Sequence, residues 1–334
     1  MARPPWKQFA KPAVKAVIAV VVLWAVGRHV ARTWRDLHAH GESPHVEPAW
    51  VVAGGLLYLA GLALCGVFYA RVLQASRSPI TTASAVRAYL ISHLGKYVPG
   101  KAMVVVMRVG LSTPFGARAA TAGFATFYET LVMMAAGSAL AAVGLATDPG
   151  PLQVVWFALA AGLAVAFLVV VDPLVFPRIS KLVTTPFPGV GPDAQPQYTR
   201  SLLAEGLGLT LLGWALLGLS QVAVVRAVHP AGVALRLWPL VAAGVALATV
   251  SGFVVAVLPG GLGVREGVLM ATLAPALGDD VAVIAALALR LTWVAAEVAV
   301  AAVLTFARPS RIRSPESVRE PELLPEPAGG PAQP

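Results

Sequence analysis

The sequence predicts an all-α, polytopic helical membrane protein with about eight transmembrane spans arranged in two four-span halves. Three observations predict it. Of 334 residues, 57% are hydrophobic and only 12% carry charge, whereas about a quarter of the residues in a soluble domain are charged. Several apolar runs reach the roughly 20 residues that a helix needs to cross about 30 Å of hydrocarbon. Each half also contains one apolar stretch interrupted by a Pro-Gly pair, Pro99-Gly100 in the first and Pro259-Gly260 in the second.

A net charge of +9 would suggest nucleic acid in a soluble protein. No basic motif with interleaved aromatic residues accompanies it, so no nucleic-acid partner is expected. The basic residues are read instead as setting the orientation of the spans. The single cysteine, Cys65, lies in an apolar run and excludes both an intrachain disulfide and a thiolate metal site. Four of the six histidines, His29, His38, His40 and His45, gather between the first two spans. Their spacing fits no helical ligand pair, and neither a metal nor a cofactor is expected.

The first span, 12–27, follows a basic front of Arg3, Lys7, Lys11 and Lys15. A signal peptide has the same outline; an uncleaved helix is the preferred reading. Spans at 49–70, 119–146 and 152–171 complete the first half, about 10–172. Spans at 201–225, 237–258, 264–277 and 281–306 build the second, about 200–307, and 264–277 is short for a full crossing. The linker 173–199 contains the Pro-rich run "TTPFPGVGPDAQPQ". One membrane domain therefore fills 1–307. From Pro309 onward the chain has seven prolines and four glutamates, so 308–334 is expected to be a disordered tail. Placing the N-terminus in the cytoplasm puts 19 Lys and Arg on cytoplasmic segments and 5 on external ones. That asymmetry predicts both termini on the cytoplasmic side of a plasma membrane.

The two interrupted stretches read "GKYVPGK" at 95–101 and "LPGGLGVREG" at 258–267. Proline removes an amide hydrogen and clashes with the preceding turn, while glycine admits backbone that other residues resist. Within a bilayer such backbone survives only where it is buried in protein or lines a wet cavity. Paired interruptions in corresponding places of two halves point to a transporter's binding site. The plainer alternative is a loop between consecutive spans. Residues 80–110 are too apolar for a solvated loop and too basic for a plain span, carrying Lys96, Lys101 and Arg108 beside Tyr89 and Tyr97. A re-entrant hairpin satisfies both facts.

These two motifs, with an arginine in the last span, resemble the lysylphosphatidylglycerol synthase transmembrane-region family, also described as flippase-like integral membrane proteins. The resemblance covers most of 10–307. It implies a multi-helix domain that handles lipids or lipid-linked glycans. It assigns ligand contact to Lys96, Tyr97, Pro99, Gly100 and Lys101 in the first motif. In the second it assigns Pro259, Gly260, Gly261, Gly263, Arg265 and Glu266, and Gly267 completes the motif. Synthases of the family append a soluble aminoacyl-transfer domain, whereas here a Pro/Glu-rich run follows the last span, so the synthase reaction is not expected.

Three further charges fall inside spans: Glu129, Arg290 and Glu297. Ionisable groups at that depth cost at least a few kcal/mol and are functional candidates, with an interhelical packing bridge as the alternative. Arg290 and Glu297 are seven residues apart, on one face of a helix but too distant along its axis to pair. Each therefore needs a partner on another helix, and Glu129 is expected to meet Arg290 or Arg265. Glu266 is expected to position Arg265. Glu205 is read as a carboxylate in the first turn of its span.

No nucleophile elbow, P-loop, metalloprotease or dinucleotide fingerprint is present, so no catalytic residue is assigned. The leading expectation is a protein that binds and translocates anionic phospholipid or lipid-linked headgroups. The alternatives are a membrane-embedded transferase acting on a phospholipid or polyprenyl-phosphate sugar, and a non-transporting partner of such an enzyme. Membrane lipids are the expected ligands, and a partner enzyme or a second copy of the chain the possible protein partners.

Overall fold

The structure is a computed structural model. It describes residues 46–98, 102–146, 151–184, 195–229, 235–255 and 263–307, together with Trp24, Arg28, Ala31 and Arg35. Pro99, Gly100, Lys101, Pro259, Gly260, Gly261, most of the first span and the tail lie outside these residues. Trp24, Arg28, Ala31 and Arg35 are helical, so helix extends beyond residue 27, into what reads from sequence as a loop.

Every element among the described residues is helical. In chain order they are α1 (Pro48–Ala75), α2 (Thr82–Ser92), a 3₁₀ turn (His93–Tyr97), α3 (Ala102–Ser112), α4 (Ala119–Leu145), α5 (Pro151–Val171), α6 (Phe176–Thr184), α7 (Arg200–Val228), α8 (Trp238–Val254), α9 (Val264–Leu277) and α10 (Asp279–Phe306). Five are long and apolar enough to cross a membrane: α1, α4, α7, α10 and the Val154–Val171 part of α5. The spans expected from 49, 119, 152, 201 and 281 are thus present as helices, and the protein is an integral membrane protein.

Helix starts follow local chemistry. Thr81 and Thr199 accept hydrogen bonds from the amides of Ser84 and Leu202, capping α2 and α7. Pro48 opens α1 at a position where its missing N–H costs nothing. Glu205 does not lie in the first turn of α7, as the sequence suggested. It is the sixth residue of that helix and pairs with Arg71 at 3.0 Å on the surface.

The seam that organises the bundle runs between α1 and α7. Lipid tails are as apolar as leucine, so helices in a membrane associate through close backbone approach rather than burial from water. Here Gly54, Gly61 and Phe68, spaced by seven on α1, meet Ser220, Gly213 and Gly206, spaced by seven on α7. The order reverses, so the helices are antiparallel. Contacts at both ends agree: Arg71 meets Glu205 at one, and the Arg226 guanidinium lies 5.9 Å from the Trp50 ring at the other. Helices α4 and α8 pack beside this pair, α5 covers α4, and α10 lies across α1, α2 and α7.

Each interruption is flanked by two helices that pack on each other, α2 with α3 and α8 with α9. The first pair has 11 residues in each helix, about 16 Å at 1.5 Å per residue. Its ends return to one place, since a Cβ on Gly116 would sit 2.5 Å from the Pro79 ring.

Candidate functional site

Two buried charge clusters face one cavity. The first is built by α2, α3 and α4. Arg108 Nη1 lies 3.1 Å from Glu129 Oε2, and its Nε donates to Ser92 Oγ at 3.0 Å. Tyr89 donates to the other carboxylate oxygen of Glu129 at 3.0 Å. The guanidinium carbon sits 3.9 Å from the Tyr89 ring centroid, close enough for a cation–π contact. Ser92 is in turn fixed by donating to the Tyr89 carbonyl. Glu129 thus meets Arg108, not Arg290 or Arg265 as the sequence suggested. In sequence Arg108 is only one of several cations in a basic stretch, because the fold of α3 back onto α2 is what delivers it.

The second cluster centres on α10. Glu297 Oε1 accepts hydrogen bonds from Tyr58 and from Lys96 Nζ, the latter at 2.5 Å. His93 Nε2 lies 3.8 Å from the same oxygen. One heptad earlier, Arg290 pairs with Glu266. The inference that each charge on this face has a partner elsewhere holds, and the partners come from different interruptions. Lys96 is in the turn before the first break and Glu266 in the first turn of α9, after the second.

Glu266 also accepts from the Gly263 amide at 2.8 Å, closing the start of α9. Gly263 has φ of +83°, a conformation that favours glycine. The spacing G-x-x-E in the motif is therefore a helix cap. No ion pair joins Glu266 to Arg265 among the described residues, contrary to expectation. Arg265 instead places its guanidinium 4.5 Å from the Trp293 ring centroid. Trp293 stacks on Tyr58 at 4.2 Å and donates its indole N–H to Ser220, which donates to the Gly54 carbonyl. The α1–α7 seam thereby sets the platform beneath Arg265.

Close backbone packing also explains Gly95 in "GKYVPGK". A Cβ there would lie 2.7 Å from the Val104 amide nitrogen and 2.9 Å from Met103 C. The 3₁₀ turn rests directly on the start of α3.

A cavity of about 320 Å³ lies between the clusters. Lys96, Arg108, Arg265 and His93 reach it, whereas Glu129 and Glu297 are absent from its lining. Most of its wall is apolar or aromatic, with Val104 and Val105 from α3, Phe127 and Leu131 from α4 and Phe253 from α8. Phe127 is 57% exposed on the outside of the bundle, so this wall reaches the surface that faces lipid. Tyr58 and His93, both in the site, carry no signal in the sequence. Tyr58 sits in an apolar run that looks like any span, and no periodicity marks a hydroxyl aimed at a helix 239 residues later.

The fold and this site define an integral membrane protein with charged groups buried around an apolar cavity. The chain belongs to the lysylphosphatidylglycerol synthase TM region family, whose model matches residues 13–301. Neither a curated protein nor a solved structure matches it.

Proposed function

We propose that this protein binds anionic lipid headgroups and moves them across the plasma membrane. The observation that carries the reading is the cavity's asymmetry. Lys96 of the 3₁₀ turn and Arg108 of α3 face it with their carboxylate partners, Glu297 and Glu129, behind them, and Arg265 of α9 faces it from the Trp293 ring. An apolar wall beside cationic groups suits an amphiphile, with phosphate held by arginine and lysine and acyl chains along Val104, Phe127 and Leu131. A transferase acting on the same lipids would need a general base free to reach the substrate; Glu129 and Glu297 do not line the cavity, and Glu266 is engaged by Arg290 and the Gly263 amide.

In this reading α2 and α3 form a re-entrant hairpin. The meeting of Gly116 with Pro79 and the length of each helix, about half the hydrocarbon thickness, support it. Arg71 and Glu205 mark the cytoplasmic side and Trp50 and Arg226 the external side, following the charge asymmetry.

The test is scrambling of fluorescent phospholipids by purified protein in liposomes. Wild type should flip anionic lipid, and Arg265→Gln and Lys96→Gln should each slow it about tenfold or more with folding intact. No flipping of any anionic lipid by folded wild-type protein would overturn the reading.

A further inference from the structure

A second, much smaller pocket adjoins the cavity. Its volume is about 20 Å³, and Lys96, Arg265, Glu266, Arg290 and Trp293 line it. Lys96, Arg265 and Trp293 line both spaces, so the small pocket opens where the headgroup of the proposed ligand would sit. Three cations from three separate elements converge on it. Two have carboxylate partners, Lys96 with Glu297 and Arg290 with Glu266. Among the described residues the third, Arg265, has neither an ion pair nor a hydrogen bond; its charge rests on the Trp293 ring. The pocket therefore holds one positive charge more than its carboxylates balance.

Size and position decide what can balance it. A space of about 20 Å³ admits at least a single water-sized group, and Lys96, Arg265 and Trp293 join it to the larger cavity. We propose that this pocket is an anion subsite for one oxygen of a lipid phosphate, the ester-linked remainder of the headgroup lying in the larger cavity. The oxygen would accept charge-assisted hydrogen bonds from Arg265 and its neighbours. A free halide is also a small anion and is the other source of that chemistry. This inference rests on the lipid-binding reading above, but it concerns binding at one pocket and is measured without transport.

The experiment is thermal unfolding of detergent-solubilised protein titrated with short-chain ligands. The probes are dihexanoyl phosphatidylglycerol, dihexanoyl glycerol lacking phosphate, sodium chloride and inorganic phosphate. The phospholipid should raise Tm saturably, and Arg265→Gln should weaken that binding about tenfold or more. Arg265→Lys, which keeps the charge but not the fork, should fall between. Equal binding of the phosphate-free lipid, or phospholipid binding unchanged in folded Arg265→Gln, would overturn the subsite. The liposome assay could still report flipping in that case. A saturable chloride response lost in Arg265→Gln, with no added effect of phospholipid, would assign the pocket to a free halide and overturn the lipid assignment. Failure of liposome flipping with intact, Arg265-dependent phospholipid binding would overturn transport and leave the subsite standing.

Discussion

Arg108 and Glu129 form an ion pair at 3.1 Å with side chains only 2% and 1% exposed. Both side chains are almost fully withdrawn from the outer surface, so either charge left alone is poorly compensated. Breaking a buried pair costs about 3–5 kcal/mol, whereas replacing both members with apolar residues can be neutral. Glu129→Gln should therefore lower stability by about 3 kcal/mol or more, and Arg108→Met with Glu129→Leu should recover most of it. The check is unfolding of both variants beside Glu205→Gln. That change removes the Arg71 pair, whose side chains are 51% and 43% exposed, and should cost no more than about 1 kcal/mol.

Gly95 predicts a second contrast. A methyl group there has backbone atoms of Met103 and Val104 under 3 Å away, and backbone cannot rotate aside as a side-chain tip can. Gly95→Ala should cost about 1–3 kcal/mol, the usual range for overpacking, and should shift the 3₁₀ turn that carries Lys96. A methyl group on Gly110, in α3, would meet nothing within 4 Å beyond its own stretch of helix. Gly110→Ala should be neutral or stabilise by about 0.5–1 kcal/mol through helix propensity. Thermal unfolding of the two variants side by side tests the pair.

What the sequence discloses follows from which signals are local. Apolar run length locates α1, α4, α5, α7 and α10, because the hydrocarbon sets one length for all of them. The heptad spacing of Arg290 and Glu297 shows that each needs an outside partner, because a helix's geometry is known in advance. The identity of those partners depends on the packing of α2, α3 and α9, which no local pattern encodes. Hence nothing in the sequence marks the roles of Arg108 and Tyr58, and Glu129 reads there as the partner of the wrong arginine. The cap made by Glu266 is legible in principle as G-x-x-E before an apolar run. The adjacent arginine masks it by suggesting a charge pair instead.

The hairpin reading of α2 and α3 predicts a labelling pattern. In a Cys65→Ala background, Arg77→Cys and Thr113→Cys should react with a membrane-impermeant maleimide from the same side. Arg77 and Thr113 are both exposed. Trp50→Cys and Arg226→Cys, at the other end of the antiparallel α1–α7 pair, should react only from the opposite side. Labelling of residues 77 and 113 from opposite sides would replace the hairpin with a crossing.

Glu266 performs two tasks that substitution can separate. It caps α9 through the Gly263 amide and it faces the charge of Arg290. Glu266→Ala loses both, and Glu266→Gln keeps a side-chain oxygen for the amide while losing the charge. A cap is worth about 1 kcal/mol, whereas uncovering a buried cation costs more, up to about 3 kcal/mol or above. Glu266→Gln should therefore regain only about 1 kcal/mol of the stability lost in Glu266→Ala. Adding Arg290→Gln to Glu266→Gln should restore more than the cap does, because it removes the uncompensated charge. The measurement is denaturant unfolding of the three variants. If Glu266→Gln alone were as stable as wild type, the carboxylate would serve as a cap only, and the charge balance at the second interruption would have to be drawn without it.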